Sequence, residues 1–214
     1  MKGILFRPEV WEAKKLVLKQ HGIAQTRRVI KLDQFGWLKC DDHLYCFIHK
    51  DTKEHLVIQP RYLPDETVYV KEPHLDFGYW SYDTAGKWTF HQQDEVGVFF
   101  PDNCPAYLII IREREALTPG WYVRSPLFLK EKHARSFLTI VSARPERLQD
   151  ITNADAIAEG TPINDFVPVG CATLVELDVR YFYAELWDTI NPDLPWASNT
   201  WVWRYEIKEA EGRR

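Results

Sequence analysis

Two hydrophobic periods divide this chain. Helical spacing comes first: Val10, Ala13 and Val17 predict a helix from Pro8 to about Gln20. Pro8 and Glu9 suit its first turn by ring geometry and dipole, and Gly22 suits its stop. Ahead of it, GILF at 3–6 reads as a short buried strand. Past Gly22 the period falls to two. Arg28 to Leu32 reads as extended, and the short runs up to residue 60, parted by DD and KDTKE, read as a meander. TVYVKE at 67–72 alternates as a strand. Residues 73–104 carry turn signals throughout and predict an irregular insertion with a hairpin. AYLIIIRE at 106–113 is the most apolar predicted strand, and FLTIVSAR at 137–144 is another.

The C-terminal third brings the helical period back. In TNADAIAEG, at 152–160, Thr152 stands at a cap, Asp155 at the capping-box position and Gly160 at the stop. RYFYAELWDTIN at 180–191 predicts a second helix, with Tyr183, Trp187 and Ile190 on one face. TWVWRYEIK at 200–208 predicts a strand. Trp201, Trp203, Tyr205 and Ile207 share one of its faces, and Val202, Arg204 and Glu206 the other. Strands outnumber helices and the two do not alternate regularly. That argues against a doubly wound sheet and for an α+β fold on a small mixed or barrel-like sheet.

Composition narrows the function classes. The formal net charge is −4 over 214 residues. A non-specific nucleic-acid binder is usually basic, so any nucleic-acid contact here is a local patch or a pocket for one nucleotide. Nine Trp, ten Tyr and eleven Phe supply a large aromatic core. No secretory leader pattern, no apolar run of membrane-spanning length and no disulfide framework stands out, so a cytosolic location is the expectation. Walker, Rossmann, nucleophile-elbow and HExxH motifs are absent from the sequence.

Four features carry candidate chemistry. Cys40, His43, Cys46 and His49 offer soft ligands at three-residue steps. On a strand those steps alternate faces, so no metal site is expected. Gln25, Thr26, Arg27 and Arg28 combine a two-sided amide with guanidinium forks, suited to a phosphate, a base edge or a carboxylate ion pair. Glu159 falls at a helix C-terminus, where the dipole disfavours a carboxylate. Such a charge marks either an acid–base role or a tolerated surface residue. The Trp201, Trp203 and Tyr205 stripe suits either a core or base stacking.

Taken in order, QTRRVIK, VYVKE, RSPLFL, ARSFLTI, ERLQDIT–DAIAEG, LWDTIN and NTWVWRYEIK resemble the phage and prophage proteins of the ASCH type. The matches run from about residue 20 to residue 208. ASCH domains belong to the PUA-like superfamily, so the resemblance implies one domain over 1–214. Its fold would be a small β-barrel with a few short flanking helices and β-rich insertions around 33–58 and 73–104. It implies a barrel mouth that binds RNA, single-stranded DNA or a modified nucleotide, in the cytoplasm of a bacterial host. By matching position, the ligand residues would be Gln25, Thr26, Arg27, Arg28, Glu72, Ser125, Arg135, Trp187 and Asn199.

The same resemblance implies a second class. Some small bacterial ASCH proteins are amidohydrolases on N-acylated cytidine with a Lys-Thr-Glu arrangement. Thr26 and Glu159 match it, but Ile23 stands in place of the lysine. An amide hydrolase needs a group that activates water or attacks the carbonyl, and Ile23 offers neither. Lys71, beside Glu72, is then the candidate substitute. A ribonuclease-like activity falls in the same class, and a third reading is an accessory protein that binds a host protein. No cofactor is expected under any of the three.

Overall fold

The structure is a computed structural model that describes residues 1–32, 35–41, 44–93, 96–161 and 178–212. Along the chain, β1 is Lys2–Leu5, α1 Pro8–His21, β2 Ala24–Val29, β3 Phe35–Asp41, β4 Leu44–His49 and β5 His55–Ile58. Then come β6 Thr67–Lys71, β7 His74–Tyr82, β8 Trp88–Gln92, β9 Val98–Phe99, β10 Ile110–Ile111 and β11 Gly120–Arg124. The chain closes with β12 Phe137–Arg147, α2 Asn153–Ala158, α3 Val179–Ile190 and β13 Trp201–Glu209. The class is α+β, strand-rich with few and short helices, and among the described residues no sheet closes into a barrel. No described helix is long and apolar enough to cross a membrane.

Contacts divide the chain into two compact units. The first comprises Met1–Pro8 and Tyr69–Phe137; the second comprises Glu9–Val68 and the described residues from Leu138 onward.

In the second unit β13 is central, paired antiparallel to β12 on one side and to β2 on the other. Its aromatic face meets the β3-β4-β5 meander. Tyr45 packs edge-on against Trp203 with ring centroids 4.8 Å apart, and Phe47 against Trp201 at 5.5 Å. The Tyr45 hydroxyl donates to the Ala143 carbonyl, and Trp201 Nε1 donates to the Phe35 carbonyl at 2.8 Å. On the opposite face Val202 joins Leu148, Ile151, Ala156, Val179, Tyr183 and Trp187 in one apolar cluster with α2 and α3. Trp187 Nε1 is satisfied there by the Leu194 carbonyl at 2.8 Å. A base-stacking stripe and a core were both open on sequence. Trp203 and Tyr205 are core, and Trp201 is half-buried against Phe47.

In the first unit β7 is central, in a sheet of order β10-β11-β7-β8 with β9 also on β7. The expected hairpin in 73–104 is β7–β8, nine and five residues long. The apolar run 106–113 departs from expectation. Only Ile110–Ile111 pairs, parallel to β11, while Tyr107 and Ile109 are 84% and 83% exposed. β11 is five residues long, and the run pairs with it for only two.

β2 starts four residues earlier than its pattern predicts. Pairing with β13 extends back to Ala24 opposite Ile207, which draws Gln25, Thr26 and Arg27 into the sheet and buries them. The caps of α2 follow the sequence closely. Thr152 and Asp155 form the reciprocal box, and Gly160 leaves the helix at φ +76°. A Cβ at Gly160 would lie 3.0 Å from the Lys14 backbone nitrogen and 3.2 Å from Ala13, so this glycine sets how closely the end of α2 meets α1. Gly160→Ala should destabilise the fold by about 1–3 kcal/mol, the usual cost of a non-glycine residue held at positive φ. Urea denaturation checks this, and an unchanged midpoint would refute it.

Candidate functional site

The site grows from the buried face of α1. Trp11, Lys14, Val17 and Leu18 form that face, and Lys14 is fully buried. A buried ammonium needs acceptors for its three protons. Lys14 Nζ donates to the Gln25 carbonyl, to the Glu159 carbonyl at 2.6 Å and to Glu159 Oε2 at 3.0 Å. The first acceptor exists because β2 is the last strand of its sheet, so carbonyls on its outer edge lack a strand partner. The others exist because α2 ends at Glu159, whose carbonyl is one of the unmatched carbonyls of a helix terminus.

Around this pair lies a charge network. Glu159 Oε1 accepts from Arg27 Nη1 at 3.0 Å, so one carboxylate joins Lys14 to Arg27. Arg27 also donates from Nε to Glu146 Oε1 at 2.7 Å, with Nη2 at 2.6 Å from the same oxygen. Gln25 Nε2 donates to Asp155 Oδ1 at 2.8 Å, and Gln25 Oε1 accepts from Arg204 Nε at 2.9 Å. Arg204 Nη2 reaches Asp155 Oδ1 and Glu206 Oε1, each at 3.0 Å. Asp155 therefore caps α2 with one oxygen and anchors the network with the other.

Burial and pairing set the protonation directions. Burial pushes the Lys14 ammonium below its ordinary pKa, Glu159 opposes the shift, and Arg28 and Arg27 reinforce it. Burial also works against Arg27, but Glu159 and Glu146 outweigh it and its pKa is raised. Arg28 is lowered, chiefly by burial against the opposing Tyr62 and Glu159. Burial raises the Glu146 carboxyl despite Arg27. Burial also pushes Asp155 up, yet hydrogen bonds from Thr152 and Gln25 prevail and its pKa is lowered. Lys14 and Glu159 together form a lysine–carboxylate couple, the chemical unit that passes a proton between nitrogen and oxygen.

The structure brings Gln25, Arg27 and Glu159 together. Thr26 and Arg28 project from the opposite face of β2 by strand alternation, across from Tyr205 and Trp203. Thr26 is buried, and Arg28 is half-buried. Burial pushes Tyr205 up to about 12. Lys71 lies in the first unit, where Nζ donates to the Leu127 carbonyl at 2.8 Å. The lysine that meets Glu159 is Lys14. Sequence reasoning missed it, although Trp11, Lys14 and Leu18 sit at i, i+3 and i+7 and mark a lysine on the apolar stripe.

Glu72 and Arg135 form a separate clamp in the first unit. Arg135 Nη2 meets Glu72 Oε1 at 2.9 Å, Nη1 meets both Asp102 oxygens at 2.8 Å, and the guanidinium lies 4.1 Å from the Phe100 ring. Ser125 caps the turn Pro126–Phe128. Asn199 takes a left-handed conformation at φ 43°, with Oδ1 accepting from Gln149 N at 2.9 Å. Trp187 lies in the apolar cluster described above. Of the cysteine–histidine series, the Cys40 side chain and His43 lie outside the described residues. Cys46 Sγ sits 3.8 Å from His55 Nδ1, and His49 Nδ1 accepts from the Asp51 and Thr52 amides. No group of three or more His, Cys, Asp or Glu among the described residues is arranged to hold a metal ion.

No family model, curated protein or solved structure matches the chain.

Removing the Lys14 ammonium leaves Glu159 with one cation fewer in a dry site. Lys14→Met should cost about 3–5 kcal/mol, the range for breaking one side of a buried ion pair. The folded pKa of Lys14 lies below its unfolded value of about 10.4, so the unfolded chain holds more protons between the two values. The contribution of Lys14 to stability therefore rises with pH across that window. Denaturation of both proteins from neutral to alkaline pH should show the wild-type advantage widening. A constant or narrowing gap would contradict the assignment.

Proposed function

We propose that the chain is a phage- or prophage-type ASCH protein whose β12-β13-β2 sheet belongs to a PUA-like barrel. It binds a nucleobase or nucleotide, modified or plain, free or within RNA or single-stranded DNA. The binding site is the edge of β2, around Lys14, Gln25 to Arg28 and Glu159. One observation carries this reading: a fully buried lysine paired at 3.0 Å with a buried carboxylate, beside the Gln25–Thr26 peptide. Buried ion pairs contribute little net stability, and perturbed lysines concentrate where chemistry or recognition needs them. Beside this pair, half-buried Arg28 offers a cation at the β2 edge, above a core formed by the buried Tyr62 and Tyr205.

A second reading is favoured by Lys14 itself. Ile23 removes the expected lysine from the segment before β2, yet α1 supplies another to the same carboxylate. This supports hydrolysis of an acylated exocyclic amine. The couple is buried, so this reading requires the β2 edge to open to substrate and water; water would then add to the amide carbonyl, its proton passing to the Glu159 carboxylate. The couple would return a proton to the departing base nitrogen, releasing a carboxylic acid and the free amine. Thr26, on the Tyr205 side of β2, is outside this couple.

A thermal-shift panel of nucleosides, nucleotides and short single strands tests the first reading. A ligand at 100 times its Kd adds about 2.7 kcal/mol. For a chain of this size that is a Tm rise of roughly 5–10 °C. Arg28→Ala should abolish the shift while keeping the fold. For the second, N4-acetylcytidine should be turned over by the wild type and lose about 10²–10⁴-fold in kcat in Glu159→Gln. A folded protein that neither shifts with any compound nor turns one over would remove both readings.

A further inference from the structure

The first unit contains a groove that the site above does not use. Its volume is about 660 Å³, within the range of small-ligand pockets, and β7, β8 and β11 supply its wall. The floor is a stack of rings and guanidiniums. Arg124 lies 4.1 Å from the Phe90 ring centre, 4.5 Å from Phe128 and 5.0 Å from Trp80. Arg114 covers Trp80 at 4.7 Å. The lining holds Lys87, Arg112, Arg114 and Arg124 against the single carboxylate of Glu113, a local excess of three positive charges on a chain of net charge −4.

A stack of this kind can serve packing alone, but three features set this one apart. Phe128 is 56% exposed although it sits on a guanidinium, and Arg114 is exposed as well. Trp80 is buried, and its Nε1 donor has no hydrogen-bond partner, which packing alone leaves uncompensated. Arg124 is held from behind: Asp76 Oδ2 stands 3.8 Å from its Nε, and Asp76 Oδ1 accepts from Gln92 Nε2 at 2.9 Å. A buried carboxylate thus fixes one guanidinium against three rings, while the remaining cations line the groove. Ser125, singled out in the sequence, lines the same groove.

We propose that this groove binds a nucleotide unit, an aromatic base with its phosphate, presented by a single-stranded nucleic acid or as a free nucleotide. The exposed Phe128 ring, with the half-buried Trp88 and Phe90 in the same lining, provides the sequence-tolerant stacking surface, and the arginines and Lys87 provide the phosphate contacts. A duplex keeps its base faces stacked internally and offers none to Phe128. The site lies wholly within the first unit and does not depend on the reading of Lys14 and Glu159.

Fluorescence anisotropy with labelled eight-nucleotide RNA and DNA single strands tests it, with the matching duplex and mononucleotides as competitors. The single strands should bind and resist competition by the duplex. The double variant Arg114→Glu with Phe128→Ala changes two exposed positions and should weaken binding at least tenfold. Lys208→Glu makes the same charge change on the exposed end of β13 and should bind as the wild type does. The slope of log K against log salt should be about −2, from three contacts at roughly −0.7 each, and shallower by about 0.7 in Arg114→Glu. Competition by mononucleotides at similar affinity, with the same variant dependence, would assign the groove to free nucleotides. No binding, preference for duplex, or equal loss in Lys208→Glu would overturn the proposal. Loss in Arg28→Ala with retention in the groove variant would place the strand at β2 instead, and so separates this inference from the function proposed above.

Discussion

An ammonium with no access to water constrains the second unit more than any other group. Lys14 is fully buried, and a charge in that position is stable only if each proton meets an acceptor. Its acceptors come from two remote places in the sequence, an edge carbonyl of β2 and the terminal residue of α2. Each must be held in position, and each is held by something else. β2 is held by its ladder with β13, and Glu159 by Arg27 and by a left-handed exit that Gly160 supplies. The capping of α2, the register of β2 and the burial of α1 are thus parts of one arrangement.

The two adjacent arginines of β2 diverge within that arrangement. Strand alternation sends Arg27 toward Glu146 and Glu159 and sends Arg28 to the aromatic face of Trp203 and Tyr205. Carboxylates outweigh burial for Arg27, and burial outweighs its opponents for Arg28. Identical side chains one residue apart therefore differ in role. Arg27 organises the carboxylates from inside, and Arg28 keeps part of its surface exposed.

The first unit uses its charges differently. Arg124 and Arg135 are both set against rings and both held by acidic partners, Asp76 and Glu72 with Asp102. Guanidinium suits this because it is flat, weakly hydrated and able to stack while it hydrogen-bonds at its edge. The result is a sheet surface that carries positive charge on aromatic ground within an acidic chain.

Local chemistry was legible in the sequence because it depends on neighbours. The sequence itself determined the extent of α1, the cap and stop of α2, the end of α3 at Asn191 and the two faces of β13, since a cap, a dipole or an alternation acts over a few residues. Tertiary structure decided the rest. The burial of Gln25, Thr26 and Arg27 depended on how far β2 pairs along β13. Lys14 is the sharpest case. Its place on the apolar stripe of α1 was readable at i, i+3 and i+7, but its partner lies 145 residues away. Only folding could show that Lys14 meets Glu159, because a charge in the interior is defined by what surrounds it and not by its neighbours along the chain.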